Sequence, residues 1–305
     1  MQIALVDRGH WHAPMHHEAF AALGQQVTTF VPGAAGSLEG VLRQGPDLVV
    51  LLGRPAEMLE DLRRCIVAGV PVAIEKPVGR HAGELAPLAE LVGARGAFVS
   101  VAQPHLLNAF WEVCTGEAGG PLSHLRFRLV NGSPGRYEQM GVPWVLDGQQ
   151  AGGGVLRNLG IHGVSAFLKA APGEVRVHSC VLSRRLYHTE VEEYAAVVLS
   201  AGGVIGHVEV GYTAALDTAS EFELTGHRRD LTVRDDGERL HLLDRRAGAA
   251  SVRPVLPLAR RYEQFAAATL EALARHHPPP HSLGDHLRAM RVIDECYARA
   301  TWVDA

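Results

Sequence analysis

Short apolar runs alternate with helical patterns through the first part of the chain. Ile3–Val6, Gln26–Val31, Asp47–Leu52, Val70–Ile74 and Ala97–Val101 read as strands. Pro14–Leu23, Pro55–Ala68 and the stretch around Leu85–Leu91 read as helices, with Gly24 and Gly69 as stops. Runs that are apolar throughout, such as the one ending at Leu52, suit strands buried on both faces. Strand–helix alternation predicts a doubly wound parallel sheet.

The pattern changes near Pro121. Ser123–Val130 alternates like a half-buried strand, a polar Gly-rich loop covers Asn131–Gln150, and Gly154–Ala170 reads as a helix. Strand patterns follow at Val175–Ser183, Glu193–Leu199, Val204–Tyr212, Ser220–Thr225, Leu231–Arg234 and Leu240–Leu243. Ala201-Gly202-Gly203 and Asp235-Asp236-Gly237 are hairpin turns. Helices over Leu258–Arg275 and Ser282–Thr301 close the chain. The expectation is an α/β protein: a Rossmann-type doubly wound parallel sheet over residues 1–121, then an α+β unit over residues 122–305 with an open, mostly antiparallel sheet. Helices cover one face of that second sheet. Val204, Val208 and Val210 are assigned to the other, which predicts a homo-oligomer, a dimer or tetramer, through it.

A length of 305 residues suits two units. A net charge of −4 gives no electrostatic case for nucleic acid. No apolar run is long enough to span a membrane. Met1–Val6 enters a strand pattern directly, with no basic region or cleavage site, so no signal peptide and a cytoplasmic location are expected. Cys65, Cys114, Cys180 and Cys296 are widely spaced and read as buried free thiols.

Two motifs carry chemistry. Pro77 ends the fourth strand, which puts Lys76 at its carboxyl edge, where open α/β sheets bind ligands. The run 63–77, a helix end, Gly69, a strand and Glu75-Lys76-Pro77, resembles the "helix, A-x-x-G, strand, E-K-P" signature of the Gfo/Idh/MocA oxidoreductases. Gly152-Gly153-Gly154-Val155-Leu156-Arg157-Asn158-Leu159-Gly160-Ile161-His162 resembles that family's G-G-G-x-x-x-D-x-G-x-H. The resemblance implies an NAD(P)-dependent oxidoreductase that moves a hydride to or from a sugar, cyclitol or related polyol. It implies His162 as acid/base, Lys76 as the charge that polarises the substrate oxygen, and position 158 beside them. Histidine titrates near neutral pH, which suits that exchange. Arg136, Tyr137 and Trp144 are placed nearest the substrate.

The chain departs from the family at three points. Relatives carry G-x-G-x-x-G after the first strand, and this chain reads Arg8-Gly9-His10-Trp11-His12-Ala13. His16, Ala19 and Phe20 still resemble the family's H-x-x-A-L helix start. Side chains at the former glycines push a diphosphate outward, while Arg8 and a protonated histidine would attract it; both outcomes stay open. Asn158 replaces the aspartate, and Ser165 stands where many relatives have another. The second strand ends without an acid or arginine to choose NAD over NADP. The cofactor site is assigned to Arg8, Gly9, His10, Trp11, His12, Arg54, Pro55, Glu75 and Lys76. His10, His12, His16 and His17 complete no ligand set in sequence, so no metal is expected. Two alternatives remain: a catalytically silent binding or assembly subunit, and a nicotinamide-independent lyase or epimerase.

Overall fold

The computed structural model describes residues 1–33, 37–104, 121–212, 219–227 and 230–304. Cys114 lies outside the described residues; Cys65, Cys180 and Cys296 are buried and free.

Five parallel strands form the first sheet: β1 (Gln2–Asp7), β2 (Gln26–Phe30), β3 (Leu48–Leu52), β4 (Val72–Ile74) and β5 (Val99–Val101). Their order is β2-β1-β3-β4-β5, so the winding reverses between β1 and β3. That reversal opens a crevice at the carboxyl edge. Every residue of β3 and β4 is buried, as their unbroken apolar runs require. Helices α1 (Ala13–Ala22), α2 (Leu38–Arg43), α3 (Pro55–Ala68) and α4 (Ala82–Arg95) cover the sheet. Gly69 ends α3 in the left-handed conformation, with φ of 72°, and turns the chain into β4.

The second sheet has nine strands among the described residues. In chain order they are β6 (Leu122–Val130), β7 (Arg176–Ser183), β8 (Tyr194–Ala201), β9 (Val204–Gly211), β10 (Ala219–Gly226), β11 (Asp230–Asp235), β12 (Arg239–Asp244), β13 (Ala249–Pro254) and β14 (Thr301–Trp302). It is mostly antiparallel, but β6 pairs β9 in parallel and β14 pairs β7 in parallel. The polar loop after β6 contains two short helices, α5 (Gly135–Gln139) and α6 (Gly148–Ala151). The helix expected over 154–170 is a π-helical turn at Leu156–Gly160 followed by α7 (Ile161–Ala170). Elements α2, β13 and β14 were not foreseen: α2 is under two turns, β13 is exposed throughout and β14 has two residues.

One expectation needs correction. Val204, Val208 and Val210 are buried on the helix-covered face, not the open one. A Cβ on Gly163 of α7 would lie 2.6 Å from Phe127 of β6, and one on Gly206 of β9 would lie 2.5 Å from Phe167 of α7. The alternation was read correctly and its direction reversed, which flips every side chain to the other face. The open face carries Arg126 and Arg128 paired with Glu209, at 3.3 and 2.9 Å, and the half-exposed Ile205.

The last two helices, α8 (Leu258–Ala274) and α9 (Leu283–Ala298), return to the first sheet. Tyr262, Phe265 and Ala266 of α8 share a core with Ile3, Leu5, Ala19 and Phe20. Among the described residues no helix is long and apolar enough to cross a membrane.

The close packing of α7 on β6 gives a direct test. Gly163→Ala forces Phe127 to shift and should lower stability by about 1–3 kcal/mol in denaturant unfolding. An unchanged unfolding midpoint would contradict this packing.

Candidate active site

Lys76 follows β4 and is buried. Its Nζ donates to the Asn158 backbone oxygen at 2.9 Å and to Asn158 Oδ1 at 3.0 Å. Burial pushes its pKa down to about 8, with Glu75 opposing and Arg136 adding to the fall. The Asn158 amide nitrogen donates to Tyr137 Oη at 2.8 Å and Tyr212 Oη at 3.0 Å. Arg136 donates to the same Tyr137 oxygen at 2.9 Å.

The π-turn and the glycines before it present Asn158. Added Cβ atoms would meet the Arg80 carbonyl at 2.6 Å from Gly152 and Tyr297 Oη at 2.2 Å from Gly153. Glu192, buried, accepts from the Gly154 and Leu156 amides at 3.0 and 2.9 Å and from Tyr297 Oη at 2.6 Å. It caps the start of this helix, and burial raises its pKa despite those donors. Nothing in its local sequence marks this carboxylate, which lies 38 residues from the amide it caps.

His162 is also buried. Its Nδ1 lies 2.7 Å from Gln103 Oε1, and Gln103 Nε2 donates to Ser165 Oγ at 3.4 Å. Gln103 orients the imidazole, and Ser165, at the altered family position, supports Gln103. Lys76, Asn158 and His162 line one cavity of about 270 Å³ with His12, Arg136 and Tyr137. Trp144 does not line it; it packs behind, 5.9 Å from the Trp11 ring and 6.2 Å from His10.

The first turn is arranged differently from the expectation. Asp7 Oδ1 accepts the backbone N–H groups of Gly9 and His10, at 2.9 and 3.0 Å. Arg8 does not reach toward the cleft; it lies across Gly53 and makes a two-pronged pair with buried Asp61, at 2.6 and 3.0 Å. His10 is buried and stacked on Trp11 with ring centroids 4.0 Å apart. Burial holds its pKa well below the usual histidine range, so it is neutral at pH 7 and recruits no phosphate by charge. Arg54 stands exposed at the N-terminus of α3, beside buried Pro55 at the carboxyl edge of β3.

Glu75 is fully buried and ties the turn together. Its Oε2 accepts from His16 Nε2 at 2.9 Å and Tyr262 Oη at 2.9 Å, with His12 Nδ1 at 3.3 Å; Oε1 accepts the Lys76 amide at 3.0 Å. Burial works against its charge, but His12 and His16 hold its pKa well below the usual carboxylate range. Ligand atoms of His10, His12 and Glu75 lie within 4.8 Å of one another, the one such group among the described residues. Glu75 comes from 63 positions away, which is why the histidines look incomplete in sequence. Here the group is joined by hydrogen bonds, including the His12 amide to His10 Nδ1 at 3.1 Å.

A lysine and a histidine meet here in a crevice between a doubly wound sheet and an open mixed sheet. Residues 113–232 match the model of the GFO/IDH/MocA C-terminal domain, so the resemblance carried by the two motifs is borne out. The chain is 28% identical over 192 residues to trans-1,2-dihydrobenzene-1,2-diol dehydrogenase of Mus musculus. That match spans 58% of this chain and 52%, about half, of the mouse protein. An Agrobacterium radiobacter oxidoreductase solved with NAD+, L-tartaric acid and magnesium superposes with a TM-score of 0.81 at 16% identity, covering 98% of this chain and 96% of that one. A 3-ketoreductase from Actinomadura kijaniata, solved with NADP and TDP-benzene, gives 0.73 at 14% identity, covering 99% and 98%. These likenesses establish the Rossmann-like and open-sheet fold.

Burial sets the lysine's lowered proton affinity, and its contact at position 158 is a neutral amide. Asn158→Asp puts a carboxylate against Lys76 Nζ and should raise the lysine pKa above about 8, read by NMR of its ε-methylene. A titration that stays put or moves down would contradict the contact.

Proposed function

We propose that this chain is an NAD(P)-dependent oxidoreductase acting on a hydroxyl or keto carbon of a sugar, cyclitol or related polyol. The observation that carries the reading is the convergence of Lys76, from the edge of the first sheet, and His162, from the helix of the second unit, on one cavity. The chemistry named for the relatives, on a dihydrodiol and on a 3-keto position, agrees with it.

The residues at the reactive end fit the nicotinamide dinucleotide the family implies. The cavity lies at the switch-point edge of the sheet and is walled by Trp11, His12, Lys76 and His162. The diphosphate end fits only outside the first turn, because Asp7 already takes the Gly9 and His10 amides. Arg54 and the N-terminus of α3 would hold it there. When bound, the nicotinamide supplies or accepts the hydride.

The side chains do the rest. Lys76 spends two hydrogen bonds on Asn158 and has a third N–H for the substrate oxygen, whose developing negative charge it stabilises. His162 exchanges the hydroxyl proton while Gln103 fixes its ring. Arg136 and Tyr137 give donors to neighbouring hydroxyls. Tyr297, Glu192 and the glycines keep Asn158 in place. We place the protein in the cytoplasm, with a small-molecule substrate, as a homo-oligomer whose contact would rest on the charged open face and Ile205.

The test is a panel of cyclitols, sugars and dihydrodiols assayed with NAD+ and NADP+. Turnover should fall as pH rises through about 8, where Lys76 loses its proton. Lys76→Ala should cost about 10²–10³ in kcat with a small effect on stability. Activity within a few-fold of wild type would make Lys76 structural. Absence of turnover with both dinucleotides would favour the nicotinamide-independent reading, which the Asp7 contacts support.

A further inference from the structure

We propose that His12 is a second general acid–base group of this cavity, held for that task by Tyr262 and Glu75. The inference rests on the oxidoreductase reading above and assigns the proton step a further residue.

His12 lies on the first-sheet wall of the cavity, with its side chain 12% exposed. Its Nδ1 lies 2.5 Å from Tyr262 Oη and 3.3 Å from Glu75 Oε2. Tyr262 has one proton and donates it to Glu75 at 2.9 Å. Its oxygen therefore accepts at the short contact, which places the neutral ring's proton on Nδ1. Nε2 makes no hydrogen bond among the described residues. Nε2 is therefore the ring nitrogen left with a lone pair, on a residue that lines the cavity.

Carboxylate, hydroxyl and imidazole form a compact triangle, with sides of 2.5, 2.9 and 3.3 Å, that gives the ring both orientation and a counter-charge. Glu75 cannot turn away, since His16 and the Lys76 amide hold it as well. Tyr262 reaches the site from α8, and its ring also packs against His16 at 4.7 Å. The orienting partner of His162 is the neutral oxygen of Gln103; that of His12 is a tyrosine hydroxyl backed by an ionised carboxylate. The aspartate lost at position 158 is thus matched by a carboxylate–imidazole pair on the opposite wall.

In the oxidative direction the substrate O–H bond breaks and an N–H bond forms at His12 Nε2, with His162 as the alternative acceptor of that one proton. The electron pair stays on oxygen and becomes the second C=O bond as the hydride leaves carbon for the nicotinamide. In the reductive direction the imidazolium returns the proton to the alkoxide. The groups facing His12 are Glu75 and Lys76 after β4, His16 of α1, Tyr262 of α8 and His10 of the turn. Burial lowers its pKa more than Glu75 raises it, so the ring is a ready base at pH 7.

Two readouts test the proposal. In protein labelled with 15N-histidine, His12 should carry its proton on Nδ1 at pH 7; a proton on Nε2 overturns the assignment with or without a substrate. On whichever panel substrate turns over, His12→Asn should lower kcat about 10²-fold, leave KM within a few-fold and remove the acidic limb of the pH profile. Tyr262→Phe removes only the hydroxyl, so it guards against a folding artefact. It should lower kcat and move that limb to lower pH. Unchanged kcat and an unchanged limb in both variants would overturn the proposal. Lack of turnover with either dinucleotide would count against the oxidoreductase reading and leave the tautomer to decide this one.

Discussion

A buried ammonium must be given acceptors, and Lys76 finds two of them on one residue. Both belong to Asn158, on the far side of the cleft, so this contact joins the carboxyl edge of the first sheet to the helix of the second unit. Much of the surrounding architecture serves to present Asn158 at that point. The π-turn puts its carbonyl and amide side by side toward the lysine. Glycines let the chain pass against Arg80 and Tyr297, and Glu192 holds the amides that start the turn. Lys76, which can only donate, fixes which end of the amide is oxygen, and the nitrogen donates to Tyr137 and Tyr212.

The first turn shows how a fold adapts when its glycines are replaced. Three rings, His10, Trp11 and His12, fill the space beside β1, and Asp7 satisfies the backbone amides. Glu75 in the E-K-P motif thereby gains two partners beyond His16, namely His12 and Tyr262. Arg8 settles on Asp61, leaving Arg54 as the exposed cation at that edge. The result is a cleft with Lys76 and His162 at one end and a first turn filled by side chains at the other.

The parallel sheet, the helix over Pro55–Ala68 and the place of Lys76 were legible because buried parallel strands and a glycine stop leave strong local signals. The meeting of Lys76, Asn158 and His162 was legible only through the two motifs. Three things were not. The face of β9 that is buried depends on which side α7 packs, and alternation alone does not say. Arg8 looked available because Asp61, its partner, sits 53 residues away within a helix pattern. Glu75, Tyr262 and Glu192 act through contacts across 36 to 250 residues, and no local pattern encodes those.

The central claim is that the rebuilt cleft still takes a nicotinamide dinucleotide beside Lys76. Titration of the whole protein with NADH and NADPH, followed by heat or nicotinamide fluorescence, tests it most directly. The account predicts saturable binding of at least one of them, weakened by Arg54→Ala and retained in Arg8→Ala. No detectable binding of either at millimolar concentration, with the protein folded, would contradict it.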